Sequence, residues 1–152
     1  MKKAIVVDTS LAIKWVLKEA DSEAAEALLL EWSQNEVVVY APPLLAYEIA
    51  NALFKNVRTG EISIERAKGA FAEILLSGIE LDFPQDHALS LRALELAQKY
   101  ALPATYDTHY LALAERENCE LWTADSRMWR TLQGKLPWVR NLSDYRPDKS
   151  KE

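Results

Sequence analysis

The sequence predicts a three-layer α/β/α domain with a mostly parallel central sheet. Short apolar runs, several of them β-branched, alternate with stretches of helical period. No internal repeat or low-complexity linker interrupts them. Strands separated by helices need crossover connections, which lay helices over both faces of a sheet. A length of 152 residues suits one domain, expected over 1–145, with 146–152 as a short polar tail.

Taken in order, Ala4-Ile-Val-Val7 is a strand that stops at Asp8. Asp21 or Ser22 can cap a helix with Ala25, Leu28, Leu29 and Trp32 on its apolar positions. Val37-Val-Val-Tyr40 is a second strand, stopped by Pro42-Pro43. Leu44 to Val57 is nearly all apolar in its first half, which predicts a helix buried on most sides, with Gly60 as its stop. Ser63 can cap a helix carrying Ala67, Ala70, Phe71, Ile74 and Leu75, and Asp86 one carrying Leu89, Ala93, Leu96, Ala97 and Tyr100. Ile79-Glu-Leu81, Leu121-Trp-Thr123 and Trp138-Val139 are weaker strands of the same kind. A helical run follows Asp107, and a short helix follows Asp125. In such a fold the ligand site lies beyond the carboxyl ends of the strands, near the switch point of strand order.

Composition narrows the function. An apolar share of 49% excludes a disordered chain. The longest uncharged stretch, Val37 to Tyr47, is broken by prolines and too short to span a membrane, so no membrane partner is expected. A lone Cys119 suits a reducing cytoplasm. The net charge of −5 taken alone argues against a nucleic-acid partner. Its distribution is uneven, however: −9 from Met1 to Asp125 and +4 from Ser126 to Glu152.

Most acidic residues read as solvated helix faces, but Asp8, Glu48, Asp107 and Asp125 do not. Asp8 closes the first strand; Glu48 interrupts the most apolar helix; Asp107 precedes an apolar helix; Asp125 follows Leu121-Trp-Thr-Ala124. Singly, each aspartate could be a helix cap, and Glu48 could pair with Lys55. Jointly, three aspartates at strand ends would project to one rim, with a glutamate near a helix start leaning over it. Converging carboxylates raise one another's pKa and call for a hard divalent cation, Mg2+ or Mn2+, as one ion or two. His87 and His109 are the only histidines, and His109 does not share a helix face with Asp107, so zinc does not fit. Ser10, Asn51 and Thr123 are polar groups placed to support the carboxylates, with Thr9 an ordinary strand-end residue as readily as a supporting one. Only 4 glycines exist and none forms a phosphate loop, so hydrolysis of a phosphodiester fits better than ATP-driven transfer.

The order Asp8, Glu48, Asp107, Asp125, with its flanks Val-Val-Asp-Thr-Ser, Pro-Leu-Leu-Ala-Tyr-Glu-Ile-Ala-Asn-Ala-Leu, Tyr-Asp-Thr-His-Tyr-Leu-Ala-Leu-Ala and Thr-Ala-Asp, resembles the PIN-domain family over nearly the whole chain. It looks most like the small VapC-type toxin ribonucleases of type II toxin–antitoxin pairs. The resemblance implies a Mg2+- or Mn2+-dependent endoribonuclease whose metal is held by Asp8, Glu48, Asp107 and Asp125, supported by Ser10 and Thr123. It also implies a homodimer and a small antitoxin that covers the site.

Trp129 and Trp138 sit among Arg127, Arg130, Lys135 and Arg140, which points to a path for RNA phosphates past this segment. The five tryptophans otherwise read as core or interface packing. A non-catalytic interaction module binding a protein or RNA is the alternative. A phosphatase with an aspartyl nucleophile fits poorly, because it needs a second aspartate where Ser10 stands.

Overall fold

In the computed structural model, residues 2–147 are described; all but the first two residues of the predicted 146–152 tail lie outside them. Five strands form one parallel sheet: β1 (Ala4–Val7), β2 (Val38–Ala41), β3 (Ile79–Leu81), β4 (Glu120–Thr123) and β5 (Val139–Asn141), in the order β3-β2-β1-β4-β5. The strands that were weakest by sequence are all present. The helices are α1 (Thr9–Ala12), α2 (Ser22–Gln34), α3 (Leu44–Arg58), α4 (Ile64–Leu75), α5 (Ala88–Lys99), α6 (Tyr106–Arg116) and α7 (Ser126–Leu132). Single-turn α1, continued by a 3₁₀ turn at Ile13–Trp15, is too short to have left a periodic signal.

Capping follows the expected chemistry with small shifts. Ser63 accepts from the Arg66 N–H at 3.0 Å. Asp86 accepts from the Ala88 N–H at 2.9 Å, one position outside the helix boundary at His87. Ser22, rather than capping, ties Leu17 and Glu19 to the start of α2. Gly60 takes a φ of +77° just past the end of α3, a conformation that favours glycine.

The alternation of strand side chains divides the core. Ile5, Val7, Val39 and Trp122 face α2, where they meet Ala25, Leu28 and Trp32. Val6, Leu121 and Val139 face the layer built by α3 to α7. The three layers are therefore unequal, one long helix opposing five. One expectation fails. Helix α3 is buried along one stripe only, Leu45, Ile49 and Leu53, while Tyr47 and Phe54 are 74% and 53% exposed. Phe54 and Ala50 line an open groove with Ile64 and Phe71 of α4 instead of making a second core contact.

The chain winds outward from β1 to β2 and β3, then returns to place β4 on the other side of β1. The switch point therefore falls between β1 and β4. The residues that follow these two strands meet there.

Candidate metal centre on the carboxyl rim

Register places Val7 beside Trp122, so the next residues, Asp8 and Thr123, stand side by side at the rim and point toward the α3–α7 layer. Asp8 is 4% exposed. Its Oδ1 accepts from the Ser10 hydroxyl at 2.6 Å and the Leu11 N–H at 3.2 Å, and its Oδ2 accepts from the Thr123 hydroxyl at 2.5 Å. Ser10 also accepts from the Ala124 N–H at 2.9 Å and lies 3.2 Å from the Thr123 hydroxyl, which stitches the ends of β1 and β4 together. Burial pushes the Asp8 carboxyl up to about 7, against the pull of these donors, and the nearby charge of Asp107 adds to the rise.

Asp125 is the N-cap of α7: its Oδ1 accepts from the N–H groups of Arg127 and Met128 at 2.9 and 3.2 Å. Its own N–H donates to Thr123 Oγ1 at 2.9 Å. Asp8 and Asp125 are thus caps as well as members of the cluster, and the two readings were never exclusive. Asp107 is neither a cap nor a strand end. It occupies the first turn of α6, so the helix, rather than a strand, delivers it to the rim. Burial raises its carboxyl above the ordinary range, and the charges of Asp125 and then Glu48 raise it further.

Glu48 leans in from α3. It makes no ion pair with Lys55; its Oε1 accepts from the Tyr110 hydroxyl at 2.6 Å and the Thr9 hydroxyl at 3.4 Å. Tyr110 went unnoticed in the sequence, although it stands one helical turn beyond Asp107 and so shares its side of α6. Burial, then the Glu48 charge, holds its phenol well above the usual range.

Asn51 is exposed, and among the described residues no hydrogen bond joins it to the carboxylates. His109 is spent elsewhere: its Nδ1–H donates to the Thr105 carbonyl at 2.6 Å, leaving Nε2 to accept from Ser90 of α5 at 2.9 Å. Arg127 is exposed in the first turn of α7, two residues after Asp125, and Arg130 is exposed in its last turn; Lys135 is exposed beyond the end of that helix. Arg140 is not at the rim. Its place opposite Trp122 turns it to the α2 face, where it pairs with Glu120 at 3.0 Å and lies 5.2 Å over the Trp122 ring. Trp32 meets Trp122 edge-on, as the packing expectation has it, and Trp129 and Trp138, read from the sequence as flanking an RNA path, rest partly buried against the larger core.

Among the described residues no three acidic, histidine or cysteine side chains stand close enough to enclose an ion as they are posed. The donor set nevertheless fits a hard cation. Among the described residues none of the four carboxylates makes an ion pair. Among the described residues Glu48 Oε2, Asp125 Oδ2 and both Asp107 oxygens accept no hydrogen bond, yet none of them is a buried orphan. Oxygens that are free, negative and reachable are what Mg2+ or Mn2+ requires.

The PIN domain profile matches residues 5–133. Ribonuclease VapC3 of Pyrobaculum aerophilum is 29% identical over 124 residues, covering 82% of this chain and 91% of that protein. Ribonuclease VapC1 of Mycobacterium tuberculosis is 32% identical over 106 residues, covering 70% and 77%. Among solved structures, PAE2754 from Pyrobaculum aerophilum superposes with a TM-score of 0.64 at 22% identity, over 93% of this chain and 85% of that one. VapBC2 from Rickettsia felis, crystallised with a DNA fragment from their promoter, superposes with a TM-score of 0.61 at 16% identity, over 91% and 96%. The two solved structures share the fold, and the profile and sequence matches share the line of descent: the chain belongs to the PIN-domain family, as a distant relative of the VapC ribonucleases.

Proposed function

We propose that the chain is a Mg2+- or Mn2+-dependent endoribonuclease that hydrolyses RNA phosphodiester bonds, acting in the cytoplasm as the toxin of a toxin–antitoxin pair. The observation that carries this reading is the rim itself: four carboxylates on three helix starts and a strand end, none of them ion-paired among the described residues, and three of them, Glu48, Asp107 and Asp125, with oxygens that accept nothing there. Magnesium is the general partner of PIN domains. Asp8, Glu48, Asp107 and Asp125 would hold the ion, or two. Bound there, a divalent cation would supply a lowered pKa for water and a counter-charge for the phosphoryl oxygens.

The chain's own residues do the rest. Ser10, Thr123 and the Leu11 N–H keep the Asp8 carboxylate in one orientation, so it needs no reorganisation when a cation arrives. The N–H groups of Arg127 and Met128 do the same for Asp125. Arg127, exposed two residues after that cap, and Arg130, exposed in the last turn of the same helix, can take the phosphates flanking the cleaved bond. A second copy of the chain and a small antitoxin protein complete the proposal, as they do in the resemblance that first suggested it.

The test is cleavage of a single-stranded RNA in Mg2+ by the parent and by Asp107→Asn, with circular dichroism to check folding. Asp107→Asn should fold and lose about a thousandfold in rate, the worth of several kcal/mol of charge stabilisation. Equal rates for the two proteins would remove the nuclease reading and leave a non-catalytic binding module.

A further inference from the structure

Tyr110 carries a hydroxyl where packing alone asks for none. The side chain is 1% exposed and lies in the larger core, followed along α6 by the buried aliphatic run Leu111 to Ala114. Its hydroxyl donates to Glu48 Oε1 at 2.6 Å. Thr9 Oγ1 sits 3.1 Å from the same phenolic oxygen and donates to the same Glu48 oxygen at 3.4 Å. Three elements therefore meet at one atom: α1 beside Asp8, α6 beside Asp107, and α3.

This convergence is selective. Both hydroxyls take Oε1, and among the described residues Oε2 of Glu48 accepts nothing. A glutamate has three rotatable bonds and, on an open rim, would sample several rotamers at an entropic cost when a cation fixes it. Here that ordering is already present, because the phenol is locked by the core and cannot follow the carboxylate outward.

We propose that Tyr110, with Thr9, is a positioning pair: the two hydroxyls fix the Glu48 carboxylate by one oxygen and leave the other for a cation shared with Asp107. The pair touches neither the ion nor the RNA. The proposal rests on the reading of the rim as a cation site and adds to it the means by which its most mobile ligand is held.

Calorimetric titration of the full chain with Mn2+ tests it, accompanied by thermal unfolding and by kcat and KM for RNA. Tyr110→Phe keeps the ring and should unfold cooperatively, yet bind Mn2+ about tenfold more weakly or worse, the usual loss when a group orienting a ligand is removed. Its kcat should fall while KM for RNA stays near the parent value. Thr9→Ser retains the hydroxyl and should keep the parent affinity for Mn2+; Thr9→Val should not. The double variant Tyr110→Phe/Thr9→Val should lose less than the product of the two single losses, since both act through one oxygen. Parent-like Mn2+ affinity in both Tyr110→Phe and Thr9→Val, with affinity lost in Glu48→Gln, would overturn the pair and spare the cation site. A parent chain that gives no Mn2+ binding at millimolar concentration would overturn both. Should Tyr110→Phe fail to fold, the contrast between Thr9→Val and Thr9→Ser decides.

Discussion

The two ends of β4 treat acidic side chains in opposite ways. At its start, Glu120 accepts from Arg140 at 3.0 Å and from the Trp122 indole N–H at 2.9 Å, on the sheet face that α2 covers. At and just beyond its other end, Thr123 and Asp125 join Asp8, Asp107 and Glu48; among the described residues Asp8, Glu48 and Asp125 accept only from hydroxyls and backbone N–H groups, and Asp107 accepts no hydrogen bond. A cationic partner cancels the charge it binds and makes the acid part of the scaffold. A neutral donor orients a carboxylate and leaves its charge for something that comes and goes. On the proposed function, structural and functional acids in this chain differ in the kind of donor, not in the acids themselves.

Breaking the scaffold end should have the largest effect on stability. Trp122 is 7% exposed and meets Trp32 and Tyr145 edge-on, with ring centres 6.0 and 6.5 Å away. Trp122→Ala should cost about 3–5 kcal/mol in denaturant unfolding, through the lost packing and the cavity left behind. Unchanged stability would mean that this cluster is not the anchor of the α2 face.

The rim should show its character in the pH dependence of stability. Burial raises Asp8 from the ordinary 3.8 to about 7, so between these values the folded state binds more protons than the unfolded one. The contribution is full below about 4 and is lost as pH rises through about 7, at a slope of up to about 1.4 kcal/mol per pH unit. Asp107 adds to it with the same sign, while Glu115, held low by Arg92, works in the opposite sense. The difference between the parent and Asp8→Asn isolates the effect: in metal-free buffer the parent should lose stability relative to the variant from pH 4 to 7. Added Mg2+ should cancel that relative loss. A constant difference across the range would show that the Asp8 proton is not retained on folding.

The smallest effects separate the basic residues. In metal-free buffer Arg127→Ala should weaken RNA binding and lower the slope of log affinity against log salt by about 0.7, the value for one phosphate contact on a single strand. Arg140→Ala should change neither, and should cost at most about 1 kcal/mol of stability, as expected of an ion pair this exposed. If Arg140→Ala weakened RNA binding as Arg127→Ala does, the α2 face would belong to the RNA path.

Much of the fold was legible because it is written in local patterns. Ala4–Val7 and Ile79–Leu81 were read to the residue, and Ser63 caps the helix it was expected to cap. The four carboxylates were legible because each breaks a local rule: an acid at a buried strand end, in an apolar helix, or before one. What stayed hidden depends on contacts between distant segments. Tyr110 lies 62 residues from Glu48, and a tyrosine at the head of an apolar helical run reads as core until the partner is seen. Arg140 read as part of a basic stretch, because a strand of three residues is too short to reveal which face each side chain takes. Asp107 reached the rim by a helix start, since the packing of α6, not its sequence, sets where its first turn points.

The central claim is that the uncancelled acids at the end of β4 form a cation site, whereas the cancelled acid at its start does not. Titration of the full chain with Mn2+ in a calorimeter, on the parent, Asp107→Asn and Glu120→Gln, tests it most directly. The account predicts binding by the parent and by Glu120→Gln and its loss in Asp107→Asn. Equal binding by all three proteins, or none by the parent at millimolar Mn2+, would contradict it.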